Sequence, residues 1–202
     1  MATLNPYAGW TPQTSGSSSI PSIQGALPYI DFPGAREAQW VTFRFASQGG
    51  DIFNCVVVDP ESHPRFSIVT SIQNGTRTTL LRDGNGGLAG RIEWSQQPVV
   101  ELRTYVNNIP RQPASTFITR STDGASKLMT LKGKTYQWTR MPQQGIIGLL
   151  NVSYNPQERL GALFKTADGV VCLSVSPTVV AEGLLDVAVL VTILFSSGAH
   201  IG

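Results

Sequence analysis

Residues 181–195 read AEGLLDVAVLVTILF, and between Leu184 and Phe195 only Asp186 and Thr192 are not apolar. A helix of this composition has no polar face to turn to water, so it is either a membrane span or the centre of a core. The apolar run is about a dozen residues long, whereas a span needs about 20. A carboxylate in its first turns is also costly in lipid. The stretch therefore predicts a buried C-terminal helix over about 181–196 and no transmembrane segment. Val and Ile favour strand while Leu and Ala favour helix, so local propensity by itself leaves a buried strand open. Asp186 falls where a carboxylate gains from the helix dipole and the free N–H groups, with a barrel arginine such as Arg82 as the alternative donor. Thr192 can bond back to its own helix.

Ahead of this segment the period of the chain is two. In WVTFRFA, residues 40–46, Val41, Phe43 and Phe45 alternate with Thr42 and Arg44, as in a half-buried strand. Further strand-like runs follow at 52–59, 65–72, 76–83, 88–94, 99–104, 127–131, 134–140, 149–154, 160–165 and 170–175. Asn74-Gly75 and Lys132-Gly133 mark tight hairpins, because both positions of such a turn need positive φ. Asp83–Gly87, Asn155-Pro156 and Asp168-Gly169 read as turns. The stretch 105–126, with Pro110 and Pro113, reads as a long loop or a short edge strand, and 141–148 as a loop. Nine to eleven short strands spaced near ten residues apart suit a sandwich or barrel. A terminal helix apolar on every face has few places in a sandwich, whereas a closed barrel would surround it and leave no edges.

Residues 1–38 hold five of the thirteen prolines and only three charges, Asp31, Arg36 and Glu37. They show no period and predict a disordered N-terminal tail ahead of a single domain over 39–202. MATLNPYAGW carries no basic segment followed by an apolar one, so no signal peptide is expected. Two cysteines, Cys55 and Cys172, each in an apolar run, predict buried free thiols and agree with a reducing, cytoplasmic compartment.

The order TRTTLLRDGNGGLAGRIEW, then GKTYQW, then LGALFK, then LLDVAVLVTILF resembles a fungal family of unknown function, the DUF6593 family of mushroom-forming fungi. The marks are Thr79–Asp83, Ile92-Glu93-Trp94, Gly133–Trp138 and the helix from Asp186 to Thr192. The resemblance spans roughly 40–196. It implies a distant similarity to tubby-like, LURP-one-related and phospholipid-scramblase domains, and hence an antiparallel β-barrel enclosing a hydrophobic C-terminal helix. It implies no activity, since function does not follow from a shared fold.

The residues themselves argue against an enzyme. The two histidines, His63 and His200, are not accompanied by a nucleophile elbow, and an apolar run raises a thiol pKa. Metal spacings such as Cys-x-x-Cys and His-Glu-x-x-His are missing, and Asp59, Glu61 and His63 read as a solvated turn. The glycines of Asp83–Gly90 lead into a strand, not a helix, and so do not make a dinucleotide fingerprint. Glu93 and Glu101 read as exposed strand carboxylates. No cofactor is expected.

The chain's net charge of +2 gives no reason to expect nucleic acid. Its distribution is uneven. Residues 103–140 carry Arg103, Arg111, Arg120, Lys127, Lys132, Lys134 and Arg140 against a single acid, Asp123. Six of these, Arg111, Arg120, Lys127, Lys132, Lys134 and Arg140, form the candidate site for an anionic ligand. The expected role is a non-enzymatic binding module, membrane-peripheral, that recognises anionic phospholipid headgroups. A structural or protein-interaction module that uses the N-terminal tail is the alternative. A solvated basic edge that blocks strand-to-strand association explains the same charges without a ligand.

Overall fold

The structure, a computed structural model, describes residues 39–47, 51–154 and 156–198. The expected tail, 1–38, lies outside the described residues, as do Asn155 of one expected turn and His200. The chain divides into two units, Met1–Gly34 and Ala35–Gly202; the elements below belong to the second.

Thirteen strands among the described residues form one antiparallel sheet. They are β1 (Val41–Ala46), β2 (Cys55–Val58), β3 (Pro64–Gln73), β4 (Thr76–Asp83), β5 (Leu88–Trp94), β6 (Val99–Arg103) and β7 (Asn108–Pro113), then β8 (Thr119–Arg120), β9 (Ser126–Leu131), β10 (Lys134–Met141), β11 (Ile146–Asn151), β12 (Glu158–Lys165) and β13 (Val171–Val175). Hydrogen bonding runs in the order β7-β6-β5-β4-β3-β2-β1-β13-β12-β11-β10-β9-β8. Nearly every neighbour is therefore the next strand in the chain. The exception is β1 with β13, where Val41 faces Val175 and two meanders join into one sheet. The turns follow the residues. Asn74 and Gly75 have φ of 50° and 77°, and Lys132 and Gly133 have 51° and 75°, the two left-handed positions that a tight hairpin needs.

The C-terminal segment is helical and buried, but it begins later than 181. A short helix α2 (Pro177–Ala181) precedes it, and the long helix α3 spans Leu185–Ser196. Gly183, at φ 67°, turns the chain between them. Every residue from Leu185 to Leu194 is buried, so protein surrounds α3 on all sides. Its side chains belong to one core that includes Phe43, Leu81, Ile92, Leu102, Tyr136, Trp138 and Leu173 from strands all along the sheet. Each fully buried Leu, Ile or Val stabilises by about 1.5–3 kcal/mol before ordering entropy is subtracted. Among the described residues no helix is long and apolar enough to cross a membrane.

The expected closed barrel is corrected in one respect: the ladder does not close, and β7 and β8 are its free edges. Pro110 and Pro113 deprive β7 of two N–H donors, and β8 is two residues long. Between them along the chain lies a single helical turn, α1 (Ala114–Phe117), which buries Ala114 and Phe117. The stretch 105–126 thus contains two edge strands and a helical turn. The strand expected at 149–154 begins instead at Ile146, because Ile146 and Ile147 pair with Met141 and Arg140.

Candidate functional site

Asp186 organises one end of the sheet. Its carboxylate accepts from Thr104 Oγ1 at 2.5 Å, from Asn107 Nδ2 at 2.8 Å and from the backbone N–H of Val187 at 2.7 Å. Asn107 Nδ2 also donates to the Gly183 carbonyl at 2.5 Å. The loop between β6 and β7 is thereby tied to the start of α3. Arg82, the expected alternative donor, instead donates to the Gly86 carbonyl at 3.1 Å. Thr192 Oγ1 bonds back to the Ala188 carbonyl at 2.8 Å.

The same end receives the β9–β10 turn. Lys134 Nζ lies 2.6 Å from Glu182, the last polar residue before α3, and that contact holds the amine above its ordinary pKa. Tyr154, after β11, follows Ser153, which bonds to Thr135, the neighbour of Lys134 in β10. Ser153 Oγ accepts from the Thr135 N–H at 2.7 Å and fixes the β11–β12 loop beside the turn. Val106 packs on Gly183 so closely that any side chain at 183 would collide with it. Loop 104–107, the turn 132–133, the loop after β11 and the α2–α3 link thus form one continuous end.

The six candidate residues do not converge. Lys132 and Lys134 lie at the end just described. Arg140 is six residues beyond Lys134 on β10, about 20 Å along the strand, toward the other end of α3, where Trp138 meets Phe195 edge-on at 5.6 Å. Arg120 and Lys127 are there too, directly opposite one another in the β8–β9 register, and Lys127 faces Trp138 across β9–β10. Burial, and then the charge of Arg120, lowers the pKa of Lys127. Asp123, the acid of the adjoining turn, gives its carboxylate to Ser121 Oγ and the Ala125 N–H.

Arg111 belongs to a third place, the outer face of β5–β7. There it reaches Glu93 at 2.6 Å, Arg91 approaches Glu93 at 3.2 Å, and Arg103 pairs with Glu101. The Arg111 hydrogen bond depresses the Glu93 carboxyl. These two glutamates are bound into a ladder of ion pairs, and two of the seven basic residues between 103 and 140 are neutralised in it.

Both cysteines are buried and unpaired. Burial pushes the Cys55 thiol up to about 12. Ligand atoms of Asp59, Glu61 and His63 fall within 4.8 Å of one another. Asp59 already accepts the His63 N–H at 2.8 Å, which closes the turn they share.

Sequence reasoning missed the apolar members of the α3-start end. Tyr105, Val106, Tyr154 and Val180 are exposed. Tyr105-Val106 interrupts a polar stretch between strands, and that interruption was the available signal. No family model, curated protein or solved structure matches the chain.

Proposed function

We propose that the protein is a non-enzymatic binding module of tubby-like design, its sheet enclosing α3, that meets anionic lipid headgroups at the end where α3 starts. Lys132, with Lys134 beside it, supplies the contact. The observation that carries this reading is the left-handed backbone of Lys132, φ 51°. The hairpin at Asn74-Gly75 makes the same two-residue turn with asparagine, which tolerates that conformation. A lysine there costs roughly 1–2 kcal/mol that the turn does not recover. What it gains is a cation at the tip of an exposed hairpin. The resemblance to the fungal family and its barrel relatives supports the architecture and is silent on the ligand.

A second reading has its own observation. Arg120 and Lys127 are direct cross-strand neighbours in the β8–β9 register, which concentrates positive charge there. With Arg140 they suit a phosphate group at the opposite end.

One experiment separates the two. Sedimentation with phosphatidylcholine vesicles, with and without phosphatidylserine or a phosphoinositide, is measured at low and moderate salt. Lys132→Glu replaces one attraction by one repulsion, so the expected loss is about 2 kcal/mol, or about thirtyfold. Lys134 is left alone, because reversing it would set two carboxylates against each other at Glu182. If the unaltered protein fails to sediment with anionic vesicles at low salt, the lipid reading is wrong. If Arg120→Glu with Arg140→Glu weakens binding and Lys132→Glu does not, the contact is at the other end.

A further inference from the structure

We infer that the end carrying Lys132 is also an apolar wedge, in which Tyr105, Val106, Tyr154 and Val180 enter the interfacial layer of a bilayer. The inference rests on the lipid reading above and adds the depth and chemistry of the contact.

Eight large hydrophobic side chains are exposed among the described residues, and these four share one end. Tyr105 is 105% exposed, Tyr154 55%, Val106 45% and Val180 42%. Their adjacency follows from the contacts. Val106 lies against Gly183, whose N–H donates to the Val180 carbonyl at 3.1 Å. Glu182 leads to Lys134, and Ser153, next to Tyr154, accepts from Thr135, next to Lys134. Apolar groups gathered at one place on a surface mark an interaction site, whereas scattered ones do not.

The shape and charge select the occupant. Tyr105 is fully exposed, so its ring projects into solvent from the 104–107 loop. A protein partner would need a matching pocket for each tip, while a bilayer deforms around them. Tyrosine suits that layer because its ring is apolar and its hydroxyl stays wet. Glu182 is neutralised by Lys134, which leaves Lys132 to face lipid phosphates from the rim. The tip cannot fold back to cover its own apolar groups. Thr104 and Asn107 fasten both ends of the Tyr105-Val106 loop to Asp186, which is anchored in the core.

The test uses a fluorophore whose emission shifts to the blue in apolar surroundings, attached at Val106→Cys. The native thiols are buried, so labelling is selective. A second protein carries the label at Ala125→Cys, an exposed site in the turn at the opposite end. Vesicles of phosphatidylcholine and phosphatidylserine contain a quencher on the acyl chains. The expected result is a blue shift and quenching at 106 and neither at 125. In parallel, Tyr105→Ser with Val106→Ser should lower vesicle affinity at moderate salt about tenfold. Sedimentation with vesicles but no quenching at 106 overturns the wedge and leaves the lipid reading standing. Absence of sedimentation by the unaltered protein ends both. Quenching at 125 instead of 106 overturns the wedge and moves the contact to the other end.

Discussion

The candidate cations differ most at the scale of single residues. Arg111 and Lys134 are spent on carboxylates, and Lys132 is not positioned for one by any ion pair among the described residues. Arg111 has a measurable consequence in acid. Its hydrogen bond holds the Glu93 carboxyl below its ordinary range. An acid whose folded pKa is depressed contributes stability above its unfolded pKa and loses it as the pH falls through the folded value. The stability gap between the protein and Arg111→Met should therefore be widest at neutral pH and shrink from about pH 4.3 downward. Urea melts at pH 7 and pH 3 measure it. An equal gap at both would mean that Arg111 contributes by packing its stem and not by its charge.

At the scale of elements, α3 is the piece on which the others depend. Ten consecutive buried residues mean that no face of it tolerates a charge. Leu190 is 0% exposed, and Leu190→Asp places an unpaired carboxylate at the centre of the core. The protein should not fold, as judged by loss of a cooperative melt. Leu190→Ala keeps the fold measurable and should cost about 2–5 kcal/mol, the range for buried leucines. A soluble Leu190→Asp protein that melts cooperatively would show that α3 is dispensable. Asp186 avoids this penalty because Thr104, Asn107 and the Val187 N–H satisfy it.

For the whole molecule, β7 and β8 are the two open edges of the sheet. Open edges invite pairing with another chain, and prolines are one means of preventing it. Pro110→Thr with Pro113→Thr restores two N–H donors to β7 without adding an apolar side chain. The pair of changes should lower the temperature at which light scattering begins to rise, with little change in near-ultraviolet circular dichroism before that point. An unaltered onset would mean that α1 alone protects the edge.

The sequence by itself determined that the C-terminal segment is buried, along with the strand alternation and both tight hairpins, because these depend on composition, on local period and on which residues tolerate positive φ. Phe43 and Phe45 announced a half-buried strand, and Asn74-Gly75 announced the β3–β4 turn, with no knowledge of distant partners. The start of α3 was misread because AEG looks like helix until Gly183 turns left-handed against Val106. Tertiary structure alone decided that Asp186 bonds to Thr104 and Asn107, some eighty residues away along the chain. It alone decided that seven nearby basic residues point to three different places. Charges close in sequence separate when successive strands run in opposite directions, so a +6 window says how many cations there are and nothing of where they meet. The tyrosines and valines at the α3-start end were illegible for the converse reason. They come from three places scattered along the chain, two loops and the helix α2, and only the β1–β13 pairing and the burial of α3 bring those places to one end.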